Sequence, residues 1–508
     1  MNQAIKTALL SVYHKENLGS LLATLAKHNV QLYATGGTAQ HLLEEGYAVS
    51  LIENITDYPS ILGGRVKTLH PKVFGGILAR RDHAEDIAQL ENYQIPVFDL
   101  VVVDLYPFEE TTKQTEDEAE IIEKIDIGGI SLIRAAAKNF AHTTIVADHS
   151  QYDTLCNWLN AQNGTITLQQ RKYLATQAFA VSAHYDTTIF NYFHKNEDLS
   201  YLRLSANTVK NLRYGENPHQ NAAYFGNLAE MFTQVHGKEL SYNNLVDVDA
   251  AVQLLHDFDT SEAVVAIIKH TNPCGLAQRG ELLAAWEAAL AGDPVSAFGG
   301  VLIANTNIDV ATAQAMDKLF FEVLIAPSFD ETALAVLMQK KNRILLEQKN
   351  AAMPAQTYKS VLNGFLVQEK DTHTDAPVHL EWKTPRKADE AQTADLLFAM
   401  KIVKHLKSNA IALVKNQQLI GIGCGQTSRV AALQQAIAKA KEMGFVLEKA
   451  ALASDAFFPF ADCVAIAQAA GIDAVVQPGG SIRDQESIDY CTKNDMAMAF
   501  TNFRHFRH

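Results

Sequence analysis

Two short runs of the sequence place anion-binding and proton-transferring residue types side by side. Residues 35–38 (Thr-Gly-Gly-Thr) join a predicted strand to a predicted helix, and Lys15 follows the strand before them. Glycines there let backbone N–H groups approach an anion, although a plain strand-to-helix turn has the same pattern. Lys269 and His270 end another predicted strand, just before the turn-forming residues 272–275 (Asn-Pro-Cys-Gly). Proton transfer and a structural role are both open for this histidine.

The first third of the chain holds further reactive runs. Residues 63–71 (Gly-Gly-Arg-Val-Lys-Thr-Leu-His-Pro) combine glycines, cations, a hydroxyl and an imidazole, which is more than a solvated loop needs. Residues 104–108 (Asp-Leu-Tyr-Pro-Phe) and 126–129 (Asp-Ile-Gly-Gly) follow. Arg134 and Lys138 then share one helix face, where a solvated basic stripe is the simpler interpretation of the pair alone.

Comparable runs recur later in the chain. They are residues 213–220 (Arg-Tyr-Gly-Glu-Asn-Pro-His-Gln), 421–429 (Gly-Ile-Gly-Cys-Gly-Gln-Thr-Ser-Arg), 454–460 (Ser-Asp-Ala-Phe-Phe-Pro-Phe), 477–484 (Gln-Pro-Gly-Gly-Ser-Ile-Arg-Asp) and the aromatic, basic end 503–508. The glycine run at 421 is not a dinucleotide fingerprint, because its third glycine comes too early. Core packing is the simpler interpretation of the aromatic run alone.

Alternating strands and helices must position these runs. The hydrophobic pattern predicts strands at residues 8–12, 31–34, 77–79, 100–104 and 143–146, and helices at 18–27, 39–45, 130–139 and 168–193. Such alternation favours an α/β fold with a mostly parallel sheet, in which ligands collect at the carboxyl ends of the strands.

Two polar stretches suggest the domain organisation. Residues 194–200 predict a boundary between a first domain, 1–196, and a second, 197–508. Residues 371–389 divide the second into subdomains at about 197–375 and 376–508. A helix followed by a strand ending at a lysine occurs in each subdomain, at residues 249–269 and 395–415, so the sequence suggests an internal repeat, although chance similarity is an open alternative.

Composition excludes several classes of protein. Among 508 residues, 48% are hydrophobic and 20% charged, as in globular proteins, and the net charge of −14 argues against nucleic acid or a membrane surface as a partner. No apolar run reaches membrane-helix length, and the amino terminus does not look like a signal peptide, so we expect a cytoplasmic protein. Five scattered cysteines predict free thiols and neither a disulfide framework nor structural zinc.

Taken together, these runs resemble one family along the chain from about residue 8 to the end: phosphoribosylaminoimidazolecarboxamide formyltransferase joined to inosinate cyclohydrolase. The resemblance implies a first domain of the methylglyoxal-synthase type that closes the second purine ring. It implies a second domain of two cytidine-deaminase-like subdomains without zinc, which formylates the ribotide AICAR to FAICAR. The formyl donor is 10-formyltetrahydrofolate, a co-substrate, and the final product is IMP. A homodimer is expected, and a potassium requirement is left open.

The resemblance also assigns residues to formyl transfer. His270 is expected to transfer the proton, Lys269 to supply positive charge and Asn409 to bind the transfer centre. The residues expected to contact the nucleotide are Arg213, Tyr214, Asn244, Glu322, Arg429 and Arg504. The residues matching the folate-binding segment are Phe457, Pro459, Phe460 and Asp462.

For ring closure, the matching catalytic positions are Lys67, Tyr106, Asp126 and Lys138. The implied phosphate cradle comprises Ser11, Lys15, Thr35, Gly36, Gly37 and Thr38, with Arg65 and Thr68 nearby. Tyr13 and His14 depart from the family's usual Ser-x-Ser-Asp-Lys loop, and Asn502 replaces a usual glycine. A first domain reduced to nucleotide or phosphate binding is therefore an alternative. A zinc deaminase is not, because its ligand motif is missing.

Overall fold

The structure, a computed structural model, describes residues 2–195, 201–258 and 261–508. The chain forms two compact units, Met1–Thr208 and Val209–His508. The boundary predicted at residues 194–200 falls largely on residues 196–200, which lie outside the described residues. None of the described helices is both long enough and apolar enough to cross a membrane.

The first unit is a parallel sheet covered by helices. Its strands are β1 (Gln3–Ala4), β2 (Thr7–Val12), β3 (Gln31–Ala34), β4 (Val49–Leu51), β5 (Leu100–Asp104), β6 (Thr144–Val146) and β7 (Thr165–Ile166). Its helices are α1 (Leu18–Lys27), α2 (Gly36–Glu44), α3 (Ile52–Thr56), α4 (Pro71–Leu78), α5 (Ala84–Asn92), α6 (Phe108–Gln114), α7 (Glu118–Glu123), α8 (Gly128–Lys138), α9 (Tyr152–Ala161) and α10 (Leu168–Phe193). The main sheet has the order β4-β3-β2-β5-β6 with every neighbouring pair parallel, and β1 pairs with β7.

Alternate residues of the central strand enter two separate cores. Ala8, Leu10 and Val12 pack against one helix layer, whereas Leu9 packs into the core on the other face. Burial on both faces explains why the sequence of this strand is almost continuously apolar. The carboxyl ends of the strands therefore all open at one edge of the sheet.

The strand predicted at residues 77–79 is wrong, because residues 71–78 form helix α4. The His70 side chain accepts a hydrogen bond from Lys72 N at 3.2 Å, and Pro71 occupies the first helical position, so the helix start is well specified. Val73 and Ile77, four residues apart, then face the core together.

The second unit holds a longer series of elements. Its strands are β8 (Val209–Leu212), β9 (Ala222–Phe225), β10 (Phe232–His236), β11 (Ala263–Lys269), β12 (Asn272–Arg279), β13 (Val301–Ala304), β14 (Val323–Ala326), β15 (Ile344–Gln348), β16 (Gln356–Val361), β17 (Gly364–Glu369), β18 (Glu381–Trp382), β19 (Ile411–Val414), β20 (Leu419–Gly423), β21 (Ala451–Ser454), β22 (Ala474–Gln477) and β23 (Ala497–Phe500). Its helices are α11 (Leu228–Met231), α12 (Tyr242–His256), α13 (Leu282–Gly292), α14 (Val310–Met316), α15 (Glu331–Leu337), α16 (Glu390–Val403), α17 (Arg429–Glu442), α18 (Asp462–Ala469) and α19 (Asp484–Lys493).

Two six-stranded sheets in this unit share one topology. Their orders are β10-β15-β14-β13-β11-β12 and β18-β23-β22-β21-β19-β20. In each sheet three central strands are parallel, and the outer pairings are antiparallel. The edges β12 and β20 approach each other through a bridge between Ala277 and Gln418. One core joins the inner faces of both sheets around α12 and α16.

Candidate active sites

Hydroxyl groups gather at the carboxyl edge of the first unit's sheet. The Ser11 and Thr35 side-chain oxygens lie 3.3 Å apart, at the ends of β2 and β3. Thr38 Oγ1 accepts from Val12 N at 3.1 Å and donates to Val12 O at 3.0 Å, which ties the start of α2 to β2. Ser11 and Thr35 thus stand beside a helix N-terminus, where backbone N–H groups are available to an anion.

Two lysines bring positive charge to this edge. Lys15 Nζ donates to the carbonyl oxygens of Val12 and Tyr13, and burial lowers the pKa of its ammonium group. Lys67 Nζ lies 3.1 Å from the position that a Cβ atom would occupy on Gly36. A side chain at residue 36 would therefore press on the Lys67 ammonium group.

The two remaining predicted cradle residues differ in setting. Thr68 is buried, and its Oγ1 lies 2.8 Å from the ideal Cβ position of Gly128, at the start of α8. Arg65 is exposed and forms an ion pair with Glu123. Thr68 therefore belongs to the packed edge of the site, whereas Arg65 lies at its surface.

Asp126 is fixed immediately before α8. Its Oδ1 accepts from Gly129 N at 2.6 Å, and its own N–H donates to the Tyr185 hydroxyl at 2.8 Å. Burial raises the pKa of the Asp126 carboxyl above its ordinary value, partly offset by hydrogen bonds from backbone N–H groups. Burial, followed by the Asp126 charge, likewise raises the pKa of the Tyr106 phenol. The Asp126 carboxylate is therefore close enough for its charge to act on the Tyr106 phenol.

Lys138 lies apart from this pair within the first unit. It is the last residue of α8 and is exposed, whereas Asp126 precedes the first residue of that helix. At 1.5 Å per residue the two ends are separated by about 15 Å along the helix axis. Lys67, Tyr106 and Asp126 cluster at one end of the helix, and Lys138 lies at the other.

The unusual loop residues make a pair that the sequence did not predict. The His14 Nδ1 and backbone N atoms both lie 2.7 Å from Asp104 Oδ2, at the end of β5. The Tyr13 ring packs edge-on against Tyr106, with ring centroids 5.4 Å apart. The loop that carries Tyr13 and His14 therefore contacts the site through Asp104 and Tyr106. The position of Asp104 at the end of a predicted strand was the sequence signal that could have identified this contact.

In the second unit, Lys269 and His270 lie at the turn between β11 and β12. His270 and Thr271 have φ angles of 50° and 64°, the left-handed values that a tight hairpin turn requires. Thr271 N donates to Asp247 Oδ1 at 2.7 Å, and Lys269 Nζ donates to Phe298 O at 2.7 Å. These contacts fix the turn and leave the His270 side chain exposed.

Asn409 is held by a buried ion pair. Its Oδ1 accepts from Arg429 Nη2 at 2.7 Å, and its Nδ2 donates to Gln426 O at 2.9 Å. The Arg429 guanidinium in turn pairs with Asp455, and both groups are buried. Asp455 also accepts from Ser408 Oγ and from Ala410 N. Asp455, which was not predicted as a site residue, is therefore central to this cluster.

The hairpin turn and the Asn409 cluster meet around β20. Cys424 Sγ lies 3.4 Å from Asn272 Oδ1, and Gln426 O accepts from Asn409 N at 3.2 Å. A cavity of about 220 Å³ opens between β12 and β20, and its lining includes Lys269 and Asn272. The structure thus brings the predicted proton-transfer turn and the predicted transfer-centre amide to one region.

The C-terminal tail, residues 501–508, is docked against the same cluster. His505 N donates to Asp455 O at 2.9 Å, and Ser408 N donates to Arg507 O at 2.9 Å. Arg504 is exposed, with its guanidinium carbon 4.4 Å from the centroid of the Phe506 ring. The tail therefore lies beside Asn409 and presents Arg504 to solvent.

The predicted folate-binding segment exposes two of its three aromatic rings. Phe457 and Phe460 are 37% and 46% exposed, whereas Phe458 is buried in the core. The Arg483 guanidinium lies 4.6 Å from the centroid of the Phe460 ring. Pro459 separates the two exposed rings, and Asp462, also exposed, begins α18. The segment offers apolar surface with a carboxylate beside it.

The other predicted nucleotide contacts have structural partners. Asn244 Oδ1 accepts hydrogen bonds from Ser241 N and Ser241 Oγ, and these contacts form part of the N-terminal cap of α12. The Glu322 carboxylate pairs with Lys238 Nζ at 2.6 Å. The Arg213 guanidinium lies 5.5 Å from the centroid of the Tyr214 ring, after β8. These residues are placed by the fold, and their ligand contacts remain predictions.

Two family models and full-length relatives match this chain. The family model "AICARFT/IMPCHase bienzyme" matches residues 136–439, and the model "MGS-like domain" matches residues 17–131. Bifunctional purine biosynthesis protein PurH from Bacteroides thetaiotaomicron is 55% identical over 507 residues, covering 100% of this chain and 99% of that protein. PurH from Chlorobium chlorochromatii is 44% identical, covering 99% of each chain.

An α/β unit with hydroxyls and lysines at its carboxyl strand edge is followed by a second unit of two sheets with a lysine–histidine turn, and these features define a two-domain enzyme. The chain belongs to the AICARFT/IMPCHase bienzyme family.

Proposed function

We propose that this chain catalyses the last two steps of IMP synthesis. It transfers the formyl group of 10-formyltetrahydrofolate to the 5-amino group of AICAR, and then closes the resulting FAICAR to IMP with loss of water. The observation that carries the proposal is the presence of two separate clusters, one in each unit, in a chain matched by relatives along its whole length.

In formyl transfer the AICAR amine is a weak nucleophile, because its lone pair is delocalised into the ring and carboxamide. The amine nitrogen bonds to the formyl carbon, the bond from that carbon to folate N10 breaks, the amine loses a proton, and N10 takes up a proton as tetrahydrofolate leaves. His270, at the exposed turn, is the proposed acceptor of that proton. Lys269 and Asn409 are the proposed groups that stabilise the negative charge developing on the formyl oxygen.

Binding of the two substrates is assigned to flanking groups. Arg504 and Arg429 would bind the ribotide, together with Arg213, Tyr214, Asn244 and Glu322. The exposed Phe457 and Phe460 rings would pack on the pterin, and Asp462 would pair with its amino-pyrimidine edge. Arg429 would act mainly by orienting Asn409, since its guanidinium is already bonded to that amide and to Asp455.

In ring closure the carboxamide nitrogen attacks the formamide carbon, and water leaves. The step is intramolecular, so positioning contributes much of the rate. Asp126 and Tyr106, whose pKa values are both raised by burial, suit proton transfer at the reacting amide. The hydroxyls of Ser11 and Thr35, with Lys15, would bind the phosphate, and Lys67 would lie near the reacting amide. Lys138 would act only if its side chain reaches back along α8.

Assembly as a homodimer and a cytoplasmic location are also proposed. A homodimer is supported by the β16–β17 hairpin, which exposes Leu362, Phe365 and Leu366. Five free cysteines suit a reducing compartment such as the cytoplasm. A potassium requirement is tested by adding the ion to the assay below.

The test is a product assay at neutral pH with AICAR, 10-formyltetrahydrofolate and potassium. Formation of IMP would establish both activities. Accumulation of FAICAR would mean that the loop carrying Tyr13 and His14 has lost cyclisation and that the first unit only binds nucleotide. If folded protein consumed neither substrate, the proposed function would be refuted.

A further inference from the structure

His505 lies between two carboxylates and is only 3% exposed. Its Nδ1 is 2.6 Å from Asp371 Oδ2, and its Nε2 is 3.4 Å from Asp375 Oδ2. An imidazole that donates from both ring nitrogens is an imidazolium cation. The geometry therefore describes a buried cation held between two anions, at a residue that directly follows Arg504.

We propose that His505 is a positioning residue for formyl transfer, which clamps the C-terminal tail to residues 371–375 and thereby holds the substrate-binding groups in place. This inference rests on the formyltransferase activity proposed above. It concerns a side chain that has no assigned part in either reaction.

The clamp acts where the tail contacts the transfer cluster, which consists of Asn409, Arg429 and Asp455. The backbone of His505 donates to Asp455 O at 2.9 Å, and Asp455 pairs with Arg429, which orients Asn409. Two residues later, Arg507 N donates to Ser408 Oγ at 3.1 Å, next to Asn409. Release of the His505 side chain would therefore loosen Arg504 directly and Asn409 through Asp455 and Arg429.

Further charged groups surround the clamp. Lys404, after α16, donates to Asp257 Oδ1 and to His373 O, each at 3.0 Å. His405 Nε2 lies 2.5 Å from Asp257 Oδ2, after α12. The Arg507 guanidinium donates to His405 O at 2.8 Å. The tail thus contacts the end of α16 directly and the end of α12 through His405 and Asp257.

The charge state of His505 follows from its neighbours. Burial alone would lower the pKa of this imidazole, but the hydrogen bonds and charges of Asp371 and Asp375 outweigh it and raise the pKa to about 9. His373 faces the same cluster, with its ring centroid 6.1 Å from that of His505. At neutral pH the clamp is therefore closed.

A bound metal ion is a weaker explanation of this cluster. His373, Asp375 and His379 have potential ligand atoms within 4.8 Å of one another. However, His379 Nδ1 already accepts from Ala376 N at 3.0 Å, so the neutral ring carries its proton on Nε2. Asp375 is occupied by His373 and His505. The imidazolium of His505 supplies the positive charge that a metal would bring.

The experiment compares His505→Gln and Asp375→Asn with the control His379→Gln in the full-length protein. We expect KM for AICAR to rise about tenfold in the two clamp variants, with kcat changed less than about threefold, because substrate binding depends on Arg504. Conversion of supplied FAICAR to IMP, catalysed by the other unit, should be unchanged. The control should keep its KM within about twofold, because it leaves both carboxylate contacts intact.

Three results would overturn the clamp. One is an unchanged KM for AICAR in both clamp variants, with only a lower melting temperature. Another is a stoichiometric metal ion in the purified protein, measured by mass spectrometry. The third, which applies even where the variants do not fold, is a wild-type KM for AICAR that stays flat from about pH 7.5 to 10, across the titration of His505. Wild-type protein that makes no FAICAR at all would instead refute the proposed function, and calorimetric AICAR binding at the same pH values would then test the clamp.

Discussion

Replacing Asp455 with asparagine should separate the charge of the transfer cluster from its geometry. Asparagine keeps a carbonyl oxygen that can accept from Ala410 N and from Arg429, and its amide group can donate to Ser408 Oγ. What disappears is the negative charge opposite Arg429, whose side chain is only 5% exposed. The substitution thus leaves a buried guanidinium without a counter-ion.

The expected cost follows from that burial. Removing one partner of a buried ion pair costs about 3–5 kcal/mol, and the lower end applies here because Arg429 keeps its bond to Asn409. For the second unit, Val209–His508, with an unfolding entropy of about 2.1 cal/mol/K per residue, ~3 kcal/mol corresponds to a fall in melting temperature of about 5 °C. Formyl transfer should fall by at least about tenfold, because the Arg429 guanidinium, no longer held by the Asp455 charge, orients the Asn409 amide less firmly.

The assay pairs calorimetric unfolding of the full-length protein with separate rates for formyl transfer and cyclisation. The matched control is Asp489→Asn, an exposed carboxylate that bonds only to Gln485 among the described contacts; its effect should stay within about 0.5 kcal/mol. A melting temperature within about 2 °C of wild type, together with an unchanged formyl-transfer rate, would refute the reasoning. Cyclisation should not change in either variant.

Three further predictions concern both units. Gly36→Ala should raise the KM for FAICAR about fivefold (~1 kcal/mol), because the new Cβ would press on Lys67 Nζ. Gly37→Ala is the control and should leave the KM unchanged, because no atom lies within 4 Å of its new Cβ. Equal effects of the two substitutions would contradict this prediction. Alanine at Lys67 should cut cyclisation more than about tenfold and spare formyl transfer, and an unchanged rate would exclude Lys67. The same measurement on Lys138→Ala decides whether Lys138, at the other end of α8 from Asp126, takes part, because an unchanged cyclisation rate would exclude it. The pKa of His505 is raised from 6.5 to about 9, so its contribution to the free energy of unfolding, about 3 kcal/mol, is full below pH 6.5 and lost as pH rises through 9. Denaturant titrations of wild type and His505→Gln should therefore converge above that pH, and a constant difference would count against it.

Periodicity predicted the regular elements of the first unit well. The helices at residues 18–27 and 168–193 and the strand at 31–34 match the structure at both ends. Residues 77–79 failed because a short apolar run with glycines does not distinguish a buried helix from a strand. The capping signal at His70 and Pro71 would have decided it.

The candidate sites were predicted less completely, since sequence shows residue types and not their partners. Lys269, His270 and Asn409 were identified, but Asp455 was read only as part of an aromatic run. Its importance comes from a contact with Arg429, 26 residues earlier, that no local pattern reveals. The sequence also could not distinguish His505 from a residue of a frayed terminus. Its role depends on a contact with Asp371, which lies 134 residues away along the chain.

Comparison of the two sheets of the internal repeat shows what the charge of Asp455 contributes. In both sheets a residue just after the third strand of the repeat accepts from the backbone N–H near the start of the first. Asn305 Oδ1 accepts from Val264 N at 2.8 Å, and Asp455 Oδ1 accepts from Ala410 N at 3.1 Å. The amide in the first sheet shows that this anchor needs an acceptor but no charge. The carboxylate in the second therefore adds something beyond folding, and its partner is Arg429, the residue that orients Asn409.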